Sequence, residues 1–337
     1  MDPVSHVAFG YTVAKAVRPA VPQFAVAACL GALAPDVDAL LMPAGWDIYL
    51  RAHEIGTHTL IGSVAVAFVV AIVTRGRTRA SLFPIFQVAQ LSATSHLALD
   101  AMSGARSQWA WPFFPGRTLL PLVAMAEPWV LAFLVAGLIA VLLSKHHVQR
   151  AALSVVLIFA ACLSLKGLWL LQALRTLGPG LDQPMIARII EARWFSLREW
   201  TVFGRTASDL VQVRIQPNGA PTLLASWPVD ADSDAPLATA SLSLSTVVNL
   251  RAVHELTFPR QLSTASGVTE VLWSDIRFCW QPADDAPAAR LRGFLTAGAG
   301  PNRIACALWM GGSYEGGRFV SQRVYVFGLW QTRPASP

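Results

Sequence analysis

Two apolar runs constrain this chain more than anything else in it. Residues 119–143 and 151–173 are each long enough to cross a hydrocarbon core of about 30 Å as helices, and few charges interrupt them. Such runs cannot be held in water without a partner, and the rest of the chain does little to dilute them: 54% of its 337 residues are hydrophobic and 14% are charged, against the roughly 25% charged of an ordinary soluble domain. The sequence therefore predicts a membrane protein. Residues 60–74 and 82–99 are shorter or more polar and read as two further helices and spans. Upstream, residues 4–17 and 22–34 read as a short helical hairpin broken by Arg18-Pro19-Ala20-Val21-Pro22.

From about residue 178 the texture changes. Gly, Pro and Asp turns separate short runs such as VQVRI, EVLW, IRFCW and RVYVFGLW, rich in β-branched and aromatic residues. The predicted fold class is an all-α membrane helical bundle over residues 1–176 followed by a β-rich soluble domain over residues 177–337. GGSYEGG, residues 311–317, reads as a hairpin turn, and His254-Glu255 as an exposed strand pair.

The net charge of +6 is no sign of nucleic-acid binding, because the basic residues cluster in connections between apolar runs. Lys15 and Arg18, then Arg75, Arg77 and Arg79, then Lys145, His146, His147 and Arg150 fall in alternate connections, and basic excess marks the cytoplasmic side. Arg51, Arg106 and Arg117 lie on the other side, so the bias is a majority rather than a clean split. It predicts an inner-membrane, multi-pass chain whose C-terminal domain faces outward, into the periplasm of a Gram-negative cell. The tryptophans Trp109, Trp111, Trp129, Trp169, Trp194 and Trp200 fall near span ends, as in aromatic belts. Glu127 and Lys166 interrupt spans, Lys166 near enough to an end to snorkel. Cys279 and Cys306 form either a disulfide, if outside the cytoplasm, or two buried thiols. No CxxC pair offers a zinc knuckle.

The chemistry-bearing residues fall at helix ends. His6 opens the first predicted helix, Asp36 and Asp38 close the second, His53 and His58 precede the third, and His96 with Asp100 end the fourth. Consecutive helices run antiparallel, so these ends share one side while the basic connections share the other. Imidazoles and carboxylates suit Zn²⁺, Mn²⁺ or Fe²⁺, and seven such groups exceed the four ligands of one structural zinc. A site of two or three divalent ions, most simply Zn²⁺, fits the count. His96 and Asp100 stand i, i+4 on one helix face. HEIGTH, residues 53–58, is not the HExxH of a zincin, because its histidines are five apart, about 140° around a helix; it reads as a loop in which Gly56 turns and Thr57 caps. Asp36, Asp38 and Glu54 are the candidates to orient or deprotonate a water.

These residues resemble those of the YdjM-like family of inner-membrane-associated metal-dependent hydrolases, also described as LexA-binding. The resemblance covers roughly residues 1–175 and rests on His6 with Gly10, on Pro35-Asp36-x-Asp38, on His53, Thr57, His58 and Thr59, and on His96-x3-Asp100. It departs at Glu54, where such proteins often carry Arg. The order of ligands is also distantly similar to the zinc-dependent phospholipase C and P1 nuclease group, which implies phosphoester hydrolysis. The resemblance thus implies an enzyme acting on a membrane-associated substrate such as a lipid headgroup, with the bilayer as its partner. LexA enters only through the family's description, and a cytoplasmic partner would meet the face opposite the site. The rival reading is a non-catalytic membrane protein with a structural metal and a partner-binding outer domain.

Overall fold

The computed structural model describes residues 1–18, 24–78, 81–104, 108–114, 116, 120–125, 127–177, 184–229, 235–263, 267–280 and 305–335. Arg79, Arg106 and Arg117 of the charge argument lie outside them, as does most of the linker after Arg18. The N-terminal half is helical: α1 (Pro3–Val17), α2 (Phe24–Leu33), a 3-10 helix (Ala34–Ala44), α3 (Trp46–Ile55), α4 (Leu60–Thr78), α5 (Leu82–Met102), α6 (Pro128–Leu143) and α7 (Val148–Leu177). Asp2 caps α1 by accepting from the Ser5 amide, and Pro3 follows at N1, where its missing N–H costs nothing.

Large residues such as Leu99, Leu134, Phe159 and Leu163 pack between α5, α6 and α7, whereas small residues make many of the contacts among α2, α4 and α5. Ala27, Ala28, Ala32, Ala67, Ala71, Ala89 and Ala93 are buried, whereas Phe68, Val69, Ile72 and Val73 of α4 and Leu157, Ile158, Leu168 and Leu171 of α7 are exposed. Gly31 sits so close to α5 that a Cβ there would lie 2.5 Å from the Ala89 carbonyl oxygen. Small residues let helix backbones approach without a hydrophobic drive between them. Among the described residues two helical stretches are long and apolar enough to cross a membrane, Phe24–Ala44 and Val148–Leu177.

The run at 119–143 is not one helix. Helix α6 begins only at Pro128 and has 16 residues, roughly 24 Å at 1.5 Å per residue. Pro128 lacks the N–H a preceding turn would use and forces Glu127 to an extended backbone (φ −86°, ψ 111°). Residues 120–123 instead bond to the end of α5, the Leu120 amide donating to Ala101 and the Leu122 and Val123 amides to Met102. Lys166 does not snorkel: it is 2% exposed, donates to the Ser196 carbonyl and lies over the Trp129 and Trp200 rings. Trp200 is core rather than belt, fully buried with its indole donating to Pro121.

The C-terminal half is built on two antiparallel sheets. One is the meander β1 (Ala187–Ala192), β2 (Trp200–Arg205), β3 (Asp209–Ile215) and β4 (Thr222–Pro228); the other has the order β11-β10-β9-β6-β5, from β5 (Thr257–Ser263), β6 (Thr269–Asp275), β9 (Leu308–Glu315), β10 (Arg318–Val326) and β11 (Leu329–Pro334). GGSYEGG does form the β9–β10 hairpin, turning at Gly316 and Gly317 with positive φ. Short strands β7 (Cys279–Trp280) and β8 (Ala305–Cys306) pair so that Cys279 faces Cys306, and the two are joined as a disulfide.

The central strands β2, β3, β6 and β9 are buried on both faces, which is why runs such as DLVQV and EVLW read as nearly continuous apolar stretches, whereas β4 and β11 are largely exposed. Phe203 and Leu210 meet Leu272, Trp309 and Tyr325 between the sheets. The alternate residues Val202, Val211, Val213 and Ile215 pack on Leu170, Ala173 and Leu177 of α7. On the far side, Trp273, Leu308, Met310, Val324 and Val326 pack under helices α8 (Pro236–Ser241) and α9 (Ser245–Val253), with Trp46 and Leu50 of α3 joining them. His254 is not an exposed strand residue. It caps the C-terminus of α9 and is 8% exposed, 3.7 Å from the fully buried Asp275.

Candidate metal centre

His6, Asp36, Asp38, His53, His58, His96 and Asp100 come together at one end of the helical half. α1 and α5 supply His6, His96 and Asp100; the 3-10 helix that continues α2 supplies both aspartates; α3 and the turn after it supply His53 and His58. Glu54 also lies on α3, its side chain outside the described residues.

The block 53–58 is not a loop throughout. Helix α3 runs through His53 and stops at Ile55, with Gly56 as its C-cap, so the helix ends between the two histidines and the turn swings His58 back beside His53. Their rings lie 3.7 Å apart. The cap of α4 is Thr59, whose hydroxyl accepts from the Gly62 amide, whereas the Thr57 hydroxyl donates to the Pro35 carbonyl and reaches Asp38 Oδ2 at 3.0 Å.

The inner geometry is set by what each imidazole does with its second nitrogen. His96 Nδ1 donates to the Ala32 carbonyl at 2.7 Å, which leaves Nε2 as a lone pair directed into the site. His58 Nδ1 lies 3.1 Å from Asp38 Oδ2 and so directs its own Nε2 inward. The two Nε2 atoms are 3.1 Å apart. Asp100 Oδ2 stands 3.1 Å from His96 Nε2 and 3.5 Å from His58 Nε2, and Asp36 Oδ1 is 3.6 and 3.5 Å from the same two atoms. Fixing the outer nitrogen with a carbonyl or carboxylate is how metal-binding histidines are oriented.

Two groups could each hold a metal ion, His6 with His96 and Asp100, all buried, and Asp36 with His53 and His58, each set with its donor atoms within 4.8 Å of one another. The residues fit a divalent ion on their own chemistry. Among the described residues His6 Nδ1 and Asp38 Oδ1 are buried without a hydrogen-bond partner, an unfavourable state for polar atoms removed from water, and His6 Nε2 has Asp100 Oδ1 at 3.3 Å. Asp38 stands behind the ligands, its Oδ2 serving His53 (3.0 Å), His58 and Thr57 together. The Met1 nitrogen lies 2.5 Å from Asp100 Oδ1.

Electrostatics follow from this packing. Burial pulls the His58 pKa down, but the hydrogen bonds its ring donates to Asp100, Asp36 and Asp38 outweigh it and hold the imidazolium well above the ordinary histidine value. Burial and the nearby Asp38, Asp36 and Asp100 push the Tyr49 phenol up, so it stays protonated; its ring lies 5.1 Å from that of His53. Side-chain exposure is uneven: Asp36 is 34% and His53 25% exposed, the other ligands 4% or less. The centre opens on one edge.

Sequence reasoning passed over Tyr49, the Ala32 carbonyl and the bridging role of Thr57. Tyr49 stands i−4 to His53, a signal that speaks only once α3 is known to be helical.

Residues 1–173, just over half of the 337, match the YdjM inner membrane protein family. This chain belongs to that family. The match ends near the close of α7, so the YdjM region is the helical half with the ligand cluster, and the sheets lie beyond it. No curated protein and no solved structure matches the chain, and the distant likeness to the phospholipase C and P1 nuclease group rests on the residue pattern alone.

Proposed function

We propose that this YdjM-family protein is a multi-pass inner-membrane hydrolase that uses one or more divalent ions, Zn²⁺ first among them, to cleave a membrane-borne phosphoester, with its C-terminal domain on the outer face. The observation that carries this reading is the meeting of His58 Nε2, His96 Nε2, Asp36 Oδ1 and Asp100 Oδ2 at 3.1–3.6 Å on the edge where Asp36 and His53 reach solvent. Open coordination is what separates a catalytic ion from a structural one.

A bound divalent ion supplies Lewis acidity for water activation and for neutralising a phosphoryl oxygen. The protein's own groups do the rest. Asp36, at the open edge, accepts the proton of the attacking water; Asp38 holds His53 and His58 in register; the Ala32 carbonyl holds His96. Exposed apolar side chains on the elements that carry the site argue for a lipid: Val37, Leu40 and Leu41 of the 3-10 helix, Ile48 of α3, and Leu60 and Ile61 of α4. The Cys279–Cys306 disulfide supports an outward C-terminal domain, since such bonds persist in oxidising compartments. The fully buried His6–His96–Asp100 group favours a second role for that half, an ion that ties α1 to α5.

The test is phosphate release from vesicles containing phosphatidic acid by zinc-loaded, detergent-purified protein, beside Asp36→Asn and His96→Ala. Activity at least a hundredfold lower in both variants supports the proposal. Wild-type protein that holds zinc yet releases nothing leaves the structural-metal reading standing instead.

A further inference from the structure

The YdjM match stops at residue 173, yet one element of the matched region, α3, is held by the domain that follows. Asp47, in the first turn of α3, is 1% exposed. Its Oδ2 accepts from Arg333 Nη2 of β11 at 2.6 Å and from Asn249 Nδ2 of α9 at 2.8 Å. Arg333 also reaches the Ser245 hydroxyl at 3.3 Å, and Gln322 of β10 accepts from Ser245 Oγ and from the Thr246 amide at the start of α9. Next to Arg333 on β11, Gln331 accepts from the Trp46 amide and donates to the Met42 carbonyl. The chain between Met42 and Trp46 turns at Gly45, whose φ of 149° favours glycine, and a Cβ there would lie 2.8 Å from the side-chain ends Arg333 Nη1 and Asp47 Oδ1.

The segment gripped in this way connects Asp36 and Asp38 on one side to His53 on the other. Trp46, Asp47 and Leu50 turn one face of α3 to the C-terminal domain, while Tyr49 and His53, four apart, turn another to the ligands. A charged, hydrogen-bonded clamp fixes direction in a way that apolar packing does not, here because Asp47 Oδ2 accepts from two donors on different elements, Arg333 of β11 and Asn249 of α9. We infer that Asp47 and Arg333 are positioning residues through which the C-terminal domain sets the angle of α3 and thereby completes the Asp36–His53–His58 half of the metal centre. The His6–His96–Asp100 half is built on α1 and α5, which the clamp does not touch, and meets the clamped half where His58 Nε2 lies 3.1 Å from His96 Nε2. The inference rests on the centre holding ions, as proposed above.

The experiment uses full-length detergent-purified protein and Zn²⁺ alone as the probe, comparing wild type with Arg333→Ala, Arg333→Lys and Asn249→Ala. Zinc isotherms and amide hydrogen exchange of residues 46–55 are read together. Arg333→Ala is expected to weaken one class of zinc site at least tenfold, to weaken the other far less, and to speed exchange in 46–55; Arg333→Lys should recover part of both. Asn249→Ala removes only the neutral donor, so it guards against loss of fold and should give a smaller shift, two- to threefold, in the same direction. Unchanged zinc binding and exchange in Arg333→Ala overturn the inference, and so does equal weakening of both classes, which marks a general loss of stability. If wild-type protein binds no zinc, the metal reading fails, and unchanged 46–55 exchange in Arg333→Ala then overturns the clamp by itself.

Discussion

His58 Nε2 and His96 Nε2 face each other at 3.1 Å, each imidazole anchored from behind, His58 by Asp38 and His96 by the Ala32 carbonyl. Two lone pairs cannot share that separation without a proton or a cation between or beside them. The surrounding carboxylates choose the proton when no ion is present, since Asp100, Asp36 and Asp38 keep His58 charged well above its usual range.

The first consequence is a pH-linked affinity. An ion must displace the His58 proton, because a ligating imidazole is neutral. Below the raised value in the folded protein, apparent zinc affinity should climb with pH, by close to tenfold per unit if one proton leaves. In the metal-free protein the sign reverses: the ion pairs of His58 stabilise fully below about pH 6.5 and are lost as pH rises through the raised value. Calorimetry at pH 7 in buffers of different ionisation enthalpy counts the released protons. Zero release contradicts the assignment of His58 as an inward-facing ligand.

Gly31→Ala provides a test of helix approach. The added Cβ would meet the Ala89 carbonyl oxygen at 2.5 Å and its Cα at 2.8 Å, backbone atoms that cannot rotate aside, so α2 must move from α5. Overpacking of this kind costs about 1–3 kcal/mol. Ala32, the next residue, carries the carbonyl that fixes His96, so zinc affinity should fall together with thermal stability. An unchanged melting temperature and isotherm show that α2 and α5 are not in this contact.

The Cys279–Cys306 bond closes a separation of 27 residues, for which loop-closure entropy gives about 3–4 kcal/mol of stabilisation. Both sulfurs are buried, so reduction under native conditions should be slow. Cys279→Ala with Cys306→Ala should lower the unfolding midpoint of the C-terminal domain while leaving zinc binding by the helical half intact. Maleimide labelling of both cysteines without prior reduction, in protein taken from the membrane fraction, excludes the bond.

Much of the centre was legible before any coordinates. Antiparallel apolar helices must place alternate ends on one side, and that rule alone gathers His6, Asp36, Asp38, His58, His96 and Asp100. The β-rich texture after residue 178 was equally plain, because strands buried on both faces leave short apolar runs between turns. What misled was local. The five-residue spacing of His53 and His58 excludes both residues from one helix face, and it reads as a loop unless a helix ends between them. The run at 119–143 is apolar enough for one span, yet composition does not register that Pro128 starts a new helix. Lys166 looked free to reach water because its partners, Ser196, Trp129 and Trp200, come from elsewhere in the chain.

By itself, the sequence determined what periodicity and composition can carry: apolar helices in the first half, sheets in the second, and ligand residues at matching helix ends. Tertiary structure alone decided which imidazole nitrogen faces inward, that Asp38 serves the histidines from behind, and that Arg333 reaches back over 286 residues to Asp47. Hydrophobic pattern repeats every few residues and is readable locally. Hydrogen-bond direction and long-range pairing depend on where distant backbones arrive, and no short stretch of sequence encodes that.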